Sequence, residues 1–560
     1  MAKKSSTTAL TPEQRDAQDA RYAQGHTYDV VIIGTGSSAL TAGALLAHAG
    51  KKVCLLEAHD IPGGYAQTFK AGGFEFCAQV HYIWGCAPGG RIYEFLKRIG
   101  LENDITFELF DPEGYDHMVL PDGRRVKIPY GWDKLVENVC AAYPDQRVPM
   151  EKFVGVLRTL RDEFRHLPAR KAKWWEYLRA WRVRHIIKYR KASLQDLFDA
   201  CRLSREAQAV LAANAGDFML PPEKLSLFMY MALFGGYNTG AYSPTKHFKY
   251  YVERLARFIT DHPGCHIYYE TEVTAITTNG DRVSSVGTKD GKTFTAETYV
   301  CNGDPQKMAK IIGWEKFPAA EQKKLSYQYS EAGVVVYLGL KDIDLRKFGF
   351  GSYNIWHLEG WDMNQMWREM GACDFSKPWV FLSTPTLHTS EGGTTPGPGY
   401  QILELASFAN YAPFKDAQDK GYAEYFKLKQ RVSERMIDIA EKRYIPNLRK
   451  HIVVKQVGTS TTNEDFVLAP NGNAYGADMI PSQVTLSRLK ATTPFKNFWW
   501  CNASSGWAGM FGTVSTGMNL YMDLTGDRFF GTTKGPTDEE LIAALPQPEA
   551  DPPPAEKTAR

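Results

Sequence analysis

The first sustained apolar run of the chain is Tyr28-Asp29-Val30-Val31-Ile32-Ile33, closed by Gly34. A short run with no polar alternation predicts a strand buried on both faces, as in a parallel sheet. Ser38 to Ala49 follows, rich in alanine and leucine and stopped by Gly50. That pattern predicts a helix with a glycine end. A second apolar run, Lys52 to Glu57, predicts another buried strand. Strand, glycine turn, helix and strand within about 30 residues form a βαβ unit.

The pattern then changes several times. Trp132 to Leu233 reads as helical and aromatic, and strand-like alternation returns near Cys265. Asn279-Gly280 and Asp290-Gly291 predict hairpin turns between β-rich runs. A mixed region from Trp314 to Asn463 contains a helix near Ala423–Lys442. The chain closes with a strand at Asn497–Asn502, a glycine-rich turn and a helix-like segment at Thr516–Thr525. No internal repeat is visible. The expected fold class is α/β with mixed α+β character: a Rossmann-type unit interleaved with a substrate-binding unit.

Gly34-Thr35-Gly36-Ser37-Ser38-Ala39 has the Gly-x-Gly-x-x-Gly/Ala form. Gly34 permits the tight turn out of the strand, Gly36 lets a pyrophosphate approach the backbone, and Ala39 allows close helix–strand packing. Ser37 and Ser38 stand at the helix start, where free N–H groups and the helix dipole favour phosphate. Glu57 lies 21 residues beyond Gly36, where an acid accepts hydrogen bonds from ribose hydroxyls, with Ala58 next to it. Ile61-Pro62-Gly63-Gly64 follows, placing a glycine pair shortly after Glu57.

Bulk properties narrow the classes. A net charge of +3 over 560 residues gives no reason to expect nucleic acid. The nine cysteines are scattered and never form Cys-x-x-Cys, so neither a disulfide framework nor a metal site is expected, and a reducing compartment fits. Residues 1–27 lack the apolar core of a secretory signal, and no stretch reaches the length of a bilayer span. The expected location is cytoplasmic and not secreted. Residues 165–191 carry ten Lys/Arg against Glu176, interleaved with Trp174, Trp175, Trp181 and Tyr189. Such a segment suits peripheral docking on an anionic membrane surface. Nothing in the sequence sets an oligomeric state.

Several later segments extend the βαβ signal. Phe74-Glu75-Phe76 leads into Val80-His81-Tyr82-Ile83-Trp84-Gly85. Gly264 to Ile276, with Val273, precedes Asn302-Gly303-Asp304-Pro305. Tyr475-Gly476 precedes Asn497 to Asn502 and then Gly506-Trp507-Ala508-Gly509-Met510-Phe511-Gly512-Thr513. With Glu57 and the glycine pair, this order resembles the phytoene desaturase, carotenoid isomerase and retinol saturase group of the amine oxidase-like flavoprotein superfamily. The resemblance covers most of the chain and is thinnest at 110–235 and 310–465. Ser243-Pro244-Thr245-Lys246 replaces a proline and glycine pair, and Asn502-Ala503-Ser504 stands where several members carry Gly-Asp.

The resemblance implies FAD as cofactor and hydrogen transfer at C=C or CH–CH bonds of a lipophilic carotenoid-like or retinoid-like substrate: desaturation, saturation or cis-trans isomerisation. It implies FAD contacts from Val273, Asn302, Asn502 and Gly509 to Thr513, beside those of Gly34, Gly36, Ser37, Ser38, Ala39, Glu57, Ala58, Gly63 and Gly64. His81 and Tyr82 are the candidate proton donors or substrate positioners, and Trp84, Trp507 and Tyr475 the candidate substrate-lining side chains. No second dinucleotide fingerprint occurs, so NAD(P)H would act only as a transient electron donor. Two other readings share the fold: an amine oxidase-type enzyme, and a flavin-binding assembly protein without turnover. The expected partition is a flexible 1–27, FAD-binding parts at 28–105, 241–312 and 466–532, substrate regions at 106–240 (helical and membrane-facing) and 313–465, and a disordered 533–560.

Overall fold

Strands from three distant parts of the chain meet in one parallel sheet. In this computed structural model, which describes residues 10–165, 181–484, 487–528 and 536–545, β1 (Tyr28–Ile33) lies at the centre. On one side are β2 (Val53–Leu56) and β3 (His266–Tyr268); on the other are β4 (Ala296–Cys301) and β5 (Phe498–Trp500). All four pairings are parallel. Every residue of β2 is buried, as a strand covered on both faces requires. Helix α1 (Ser37–His48) connects β1 to β2 and is buried throughout Ser38–Ala47.

Four further helices shape the site: α2 (Arg147–Arg165), α3 (Leu227–Tyr237), α4 (Gly509–Thr525) and α5 (Asp538–Ala543). α1 is apolar all round because α4 and the helix His247–Asp261 both pack on it. α3 is buried at every position except Ala232.

A second, seven-stranded sheet runs Ile452–Gly458, Ala332–Lys341, Tyr400–Ala409, Trp379–Ser383, Asn354–Leu358, Asp116–Val119, Arg125–Ile128. Its pairings are antiparallel, except that Asn354–Leu358 runs parallel to Asp116–Val119, with Asn354 opposite Asp116. Residues on either side of the helical region therefore share one sheet. A small sheet centred on Ala241–Pro244 pairs with Ile83–Trp84 and with Phe107–Leu109. The hairpin at Asn279-Gly280 forms as the turn residues predict, between Val273–Asn279 and Arg282–Thr288.

Three expectations need correction. Within the lead read as flexible, Pro12–Ala23 is a helix with a capping box between Thr11 and Gln14. Gln18 holds it in place, donating to the Tyr269 carbonyl at 3.0 Å and accepting from the Tyr269 N–H at 2.9 Å. Within the tail read as disordered, α5 has its own capping box at Thr537 and Glu540, and Asp538 pairs with Arg161 of α2. Residues 546–560 lie outside the described residues. Finally, α4 starts at Gly509 rather than Thr516. Its glycines weaken helix propensity, but close packing demands one of them: a Cβ on Gly517 would lie 2.5 Å from the Ser38 carbonyl oxygen on α1.

Two helix-interior glycines should therefore respond with opposite sign to alanine. Gly155 on α2 has open space around its Cβ position, so Gly155→Ala should stabilise by about 0.5–1 kcal/mol. Gly517→Ala should destabilise by about 1–3 kcal/mol through overpacking. Thermal unfolding of the two variants beside wild type checks both, and equal shifts would contradict the packing account.

Candidate functional site

The chain leaves β1 at Gly34 with φ +96°, in the left-handed region that glycine occupies freely. The turn is then locked from β4. The Asn302 side-chain oxygen accepts the Gly36 N–H at 2.9 Å. Its amide donates to Ser38 Oγ at 2.8 Å and to the Cys501 carbonyl at 2.7 Å. A Cβ on Gly36 would sit 2.5 Å from that Asn302 oxygen. Gly36 is thus required by a protein neighbour as well as by any approaching phosphate. Asn502 does similar work after β5: it donates to the Gly303 carbonyl at 3.1 Å and accepts the N–H groups of Ser504 and Ser505.

Two helix N-termini converge here. Neither α1 nor α4 has a side-chain cap, so their first N–H groups remain available at the positive ends of the helix dipoles. Ser37 Oγ reaches Met510 Sδ at 3.1 Å, joining the two helix starts. Gly63 lies across the turn, its N–H donating to the Thr35 carbonyl at 3.1 Å, with φ +117°.

A cavity of about 1860 Å³ opens from this cradle. Gly36, Ser37, Ser38, Gly63, Gly64, Asn302, Asn502 and all of Gly509 to Thr513 line it. So do His81, Tyr82, Trp84, Tyr475 and Trp507. Gly34, Ala39, Glu57, Ala58 and Val273 are not among the lining residues. Glu57 stands behind the turn: its carboxylate accepts the Thr35 N–H and the His59 N–H, both at 2.9 Å, and the Thr35 hydroxyl. Burial raises its pKa, against the pull of those hydrogen bonds. Three acceptor positions of about four are used, which leaves one for a ribose hydroxyl. Ala58 is exposed, and Val273 is buried at the start of its own strand.

The residue set fits FAD. Two uncapped helix starts face one cavity, the turn backbone is bare of side chains, and a carboxylate with a spare acceptor stands at the end of β2. The cavity exceeds the usual small-molecule range of about 300–1,000 Å³, leaving room beyond a cofactor.

The wall beyond the cradle is aromatic. Trp84 stacks on Phe511 at 4.9 Å between ring centres, and Tyr82 stacks on Tyr237 at 3.9 Å. Trp507 is 41% exposed, with the Arg488 guanidinium 5.7 Å from its ring centre. His81 Nδ1 is 2.9 Å from Glu404, a buried acid of the seven-stranded sheet, so Nε2 is the nitrogen left for a ligand. The Tyr82 hydroxyl donates to Asp116 at 3.2 Å. Burial raises the Asp116 carboxyl to about 7.

Sequence reasoning missed Glu404, Asp116 and Asp217, the last of which lines the cavity. The available signal was a lone acid within an apolar run, as in Gln401-Ile402-Leu403-Glu404-Leu405-Ala406. Burying a carboxyl is costly unless it is paired or neutral.

Gly36→Ala, through its clash with Asn302, and Asn302→Ala, through the buried partners it leaves unsatisfied, should each lower flavin retention and stability, the latter by about 1–3 kcal/mol. In the double variant the clash has no partner, so the loss should be smaller than the sum of the singles. Flavin absorbance after gel filtration and a thermal double-mutant cycle measure this, and strict additivity would contradict the contact. Glu57→Ala should also lower flavin retention, through loss of its anchor to Thr35 and of the ribose acceptor.

A family model for flavin containing amine oxidoreductases matches residues 40–405. The all-trans-retinol 13,14-reductase of Danio rerio is 25% identical over 550 residues, covering 88% of this chain and 87% of the relative. The chloroplastic prolycopene isomerase of Arabidopsis thaliana is 22% identical over 472 residues, covering 80% and 74%. The solved putrescine oxidase bound to putrescine superposes with a TM-score of 0.60 at 15% identity, covering 90% of this chain and 99% of that one. The chain is therefore an FAD-dependent oxidoreductase of the flavin containing amine oxidoreductase family, in the group that includes phytoene desaturases, carotenoid isomerases and retinol saturases.

Proposed function

We propose that this enzyme moves hydrogen at a C=C or CH–CH bond of an apolar polyene or isoprenoid, of the carotenoid or retinoid kind. One observation carries the reading: a single cavity joins the glycine cradle to an apolar wall supplied by α3, with Phe228, Met229, Met231 and Leu233, and by Phe164 of α2, whose Arg158, Arg161, Asp162 and Arg165 form a charged stretch beside it. A long apolar molecule can lie along that wall with one end at the cofactor. The names of the two relatives above agree with such a substrate.

FAD, when bound, supplies hydride exchange at N5 of its ring. The protein's share is positioning. Gly34, Gly36, Ser37, Ser38 and Ala39 form the diphosphate turn; Glu57 and Ala58 serve the ribose side; Val273 serves the adenine side. Gly63, Gly64, Asn302 and Asn502 set the path beside the cofactor. Gly509 to Thr513 bring a helix N-terminus to the flavin ring. His81, held by Glu404, offers Nε2 to the substrate, and Tyr82 acts as a positioner because Asp116 engages its hydroxyl. Trp84, Trp507 and Tyr475 flank the substrate and help to exclude water. Residues 28–105, 241–312 and 466–532 make up the flavin half in this reading, and the segments between them the substrate half.

The basic, aromatic segment 165–191 is assigned to membrane docking. Its residues 166–180 lie outside the described residues. Of the rest, Arg165 lines the cavity, and Trp181 and Ile187 are 67% and 46% exposed. A lipophilic substrate would then pass from a bilayer into the cavity at the segment's start. Among the described residues no helix is long and apolar enough to cross a membrane.

One feature favours the amine reading: the Asp217 carboxyl on the cavity wall could meet an ammonium group. Anaerobic spectra of the flavin during titration with polyenes, retinoids and amines separate the readings. A polyene or retinoid is expected to bleach the oxidised flavin, or to reoxidise or isomerise over the reduced flavin. Bleaching by amines alone would replace the proposal. In flotation assays, anionic vesicles should recover more wild type than a Lys/Arg-to-Gln variant of 181–191; equal recovery would remove the docking assignment.

A further inference from the structure

Asp217 sits on a turn that other elements hold rigidly. The short 3₁₀ segment Ala213–Phe218 carries it. Trp379 Nε1 donates to the Ala213 carbonyl at 2.8 Å, and the Tyr475 hydroxyl donates to the carbonyl of Asp217 itself at 2.5 Å. Gly216 lies against the rings of Trp379 and Trp367 so closely that a Cβ would overlap both. Met219, just after the turn, is held at φ +56°, a conformation costly for a side chain with a Cβ. The turn therefore fixes the backbone of Asp217, a residue of the cavity wall.

That carboxyl differs from the other buried acids of the region. Glu404 has His81, and Asp116 has Tyr82 and Asn354. Among the described residues Asp217 has no ion pair and no hydrogen bond to its carboxyl. Its electrostatic neighbours are His81, Tyr82, Tyr237 and Tyr475, with Asp116 beyond Tyr82 and Glu404 behind His81. Burial lifts it to about 6, partly offset by His81. An unpartnered acid on a rigid backbone turn, lining the cavity and lifted to about 6, suits general acid–base work.

We propose, resting on the polyene reading above, that Asp217 exchanges the proton of the reaction with the substrate carbon next to the one that exchanges hydride. In saturation the π bond breaks and two C–H bonds form: one from a hydride supplied by the two-electron donor, a reduced flavin, and one from the Asp217 proton. The substrate is reduced by two electrons, the donor is oxidised by two, and Asp217 is left as carboxylate. Desaturation runs the same transfers backwards, with the carboxylate as base. Tyr475 is a positioning residue that acts through the Asp217 backbone.

The test compares wild type, Asp217→Asn and Asp217→Glu, all loaded with FAD. The Asn variant should keep its flavin and its spectral response to substrate binding, yet lose turnover by about 10²–10⁴-fold. The limb of the wild-type pH profile near 6 should vanish in Asn and persist in Glu. A second readout needs no turnover. The folded-state value lies above the ordinary carboxylate value of 3.8, so ionisation of Asp217 works against the fold as pH rises from there to about 6. Asp217→Asn should therefore gain in unfolding midpoint relative to wild type across that window. Turnover like wild type with the same pH limb, or a midpoint difference that does not change with pH, would overturn the assignment while the polyene reading stands. A wild type that acts on no polyene or retinoid would overturn both.

Discussion

The cofactor cradle hangs on one side chain. Asn302, at the end of β4, satisfies the Gly36 N–H from the first turn, the Ser38 hydroxyl from α1 and the Cys501 carbonyl beyond β5. Three chain segments far apart in sequence thus share one amide. Its oxygen also occupies the space where a Cβ on Gly36 would go. Each such hydrogen bond contributes only about 0.5–1.5 kcal/mol net. Its larger effect is geometric, since the ends of three parallel strands are held in one register around the Gly34–Gly36 turn. α4 depends on the same arrangement, because its Gly517 rests against the Ser38 carbonyl.

On the far side of the cavity the governing constraint is the cost of burying acids. Three carboxyls stand within or behind an aromatic wall, and each meets that cost differently. Glu404 is paired with His81, Asp116 is hydrogen-bonded and raised to about 7, and Asp217 is raised to about 6 without a partner. Their placement around His81 and Tyr82 ties the seven-stranded sheet to the cavity wall, because Glu404 and Asp116 both lie on its strands.

The seven-stranded sheet is assembled across the sequence gap that separates Asp116–Ile128 from Ala332–Gly458. The parallel pair of Asn354–Leu358 with Asp116–Val119 closes that gap. α3 covers the cavity with apolar side chains, and α2 adds Phe164 beside the charged Arg158, Arg161, Asp162 and Arg165. The ion pair of Arg161 with Asp538 brings α5 to the same wall, where Asp538 and Leu541 line the cavity.

The sequence by itself determined the parts whose signals are local. Burial on both faces demands an unbroken apolar run, so β1 and β2 were legible; turn and helix start demand glycine and small residues, so Gly34, Gly36 and α1 were too. The order of later motifs carried the family and FAD. Capping boxes at Thr11 and Thr537 were equally local signals, yet the polar composition around them concealed two short helices. Only the tertiary structure decided what depends on distant partners. It showed why α4 carries Gly517, since α1 lies too close there for a side chain. It brought Glu404 and Asp116 behind His81 and Tyr82, and it left Asp217 bare on the cavity wall. The environment of these buried acids is made in large part by residues hundreds of positions away, His81 for Glu404 and Asn354 for Asp116, and no spacing along the chain records it.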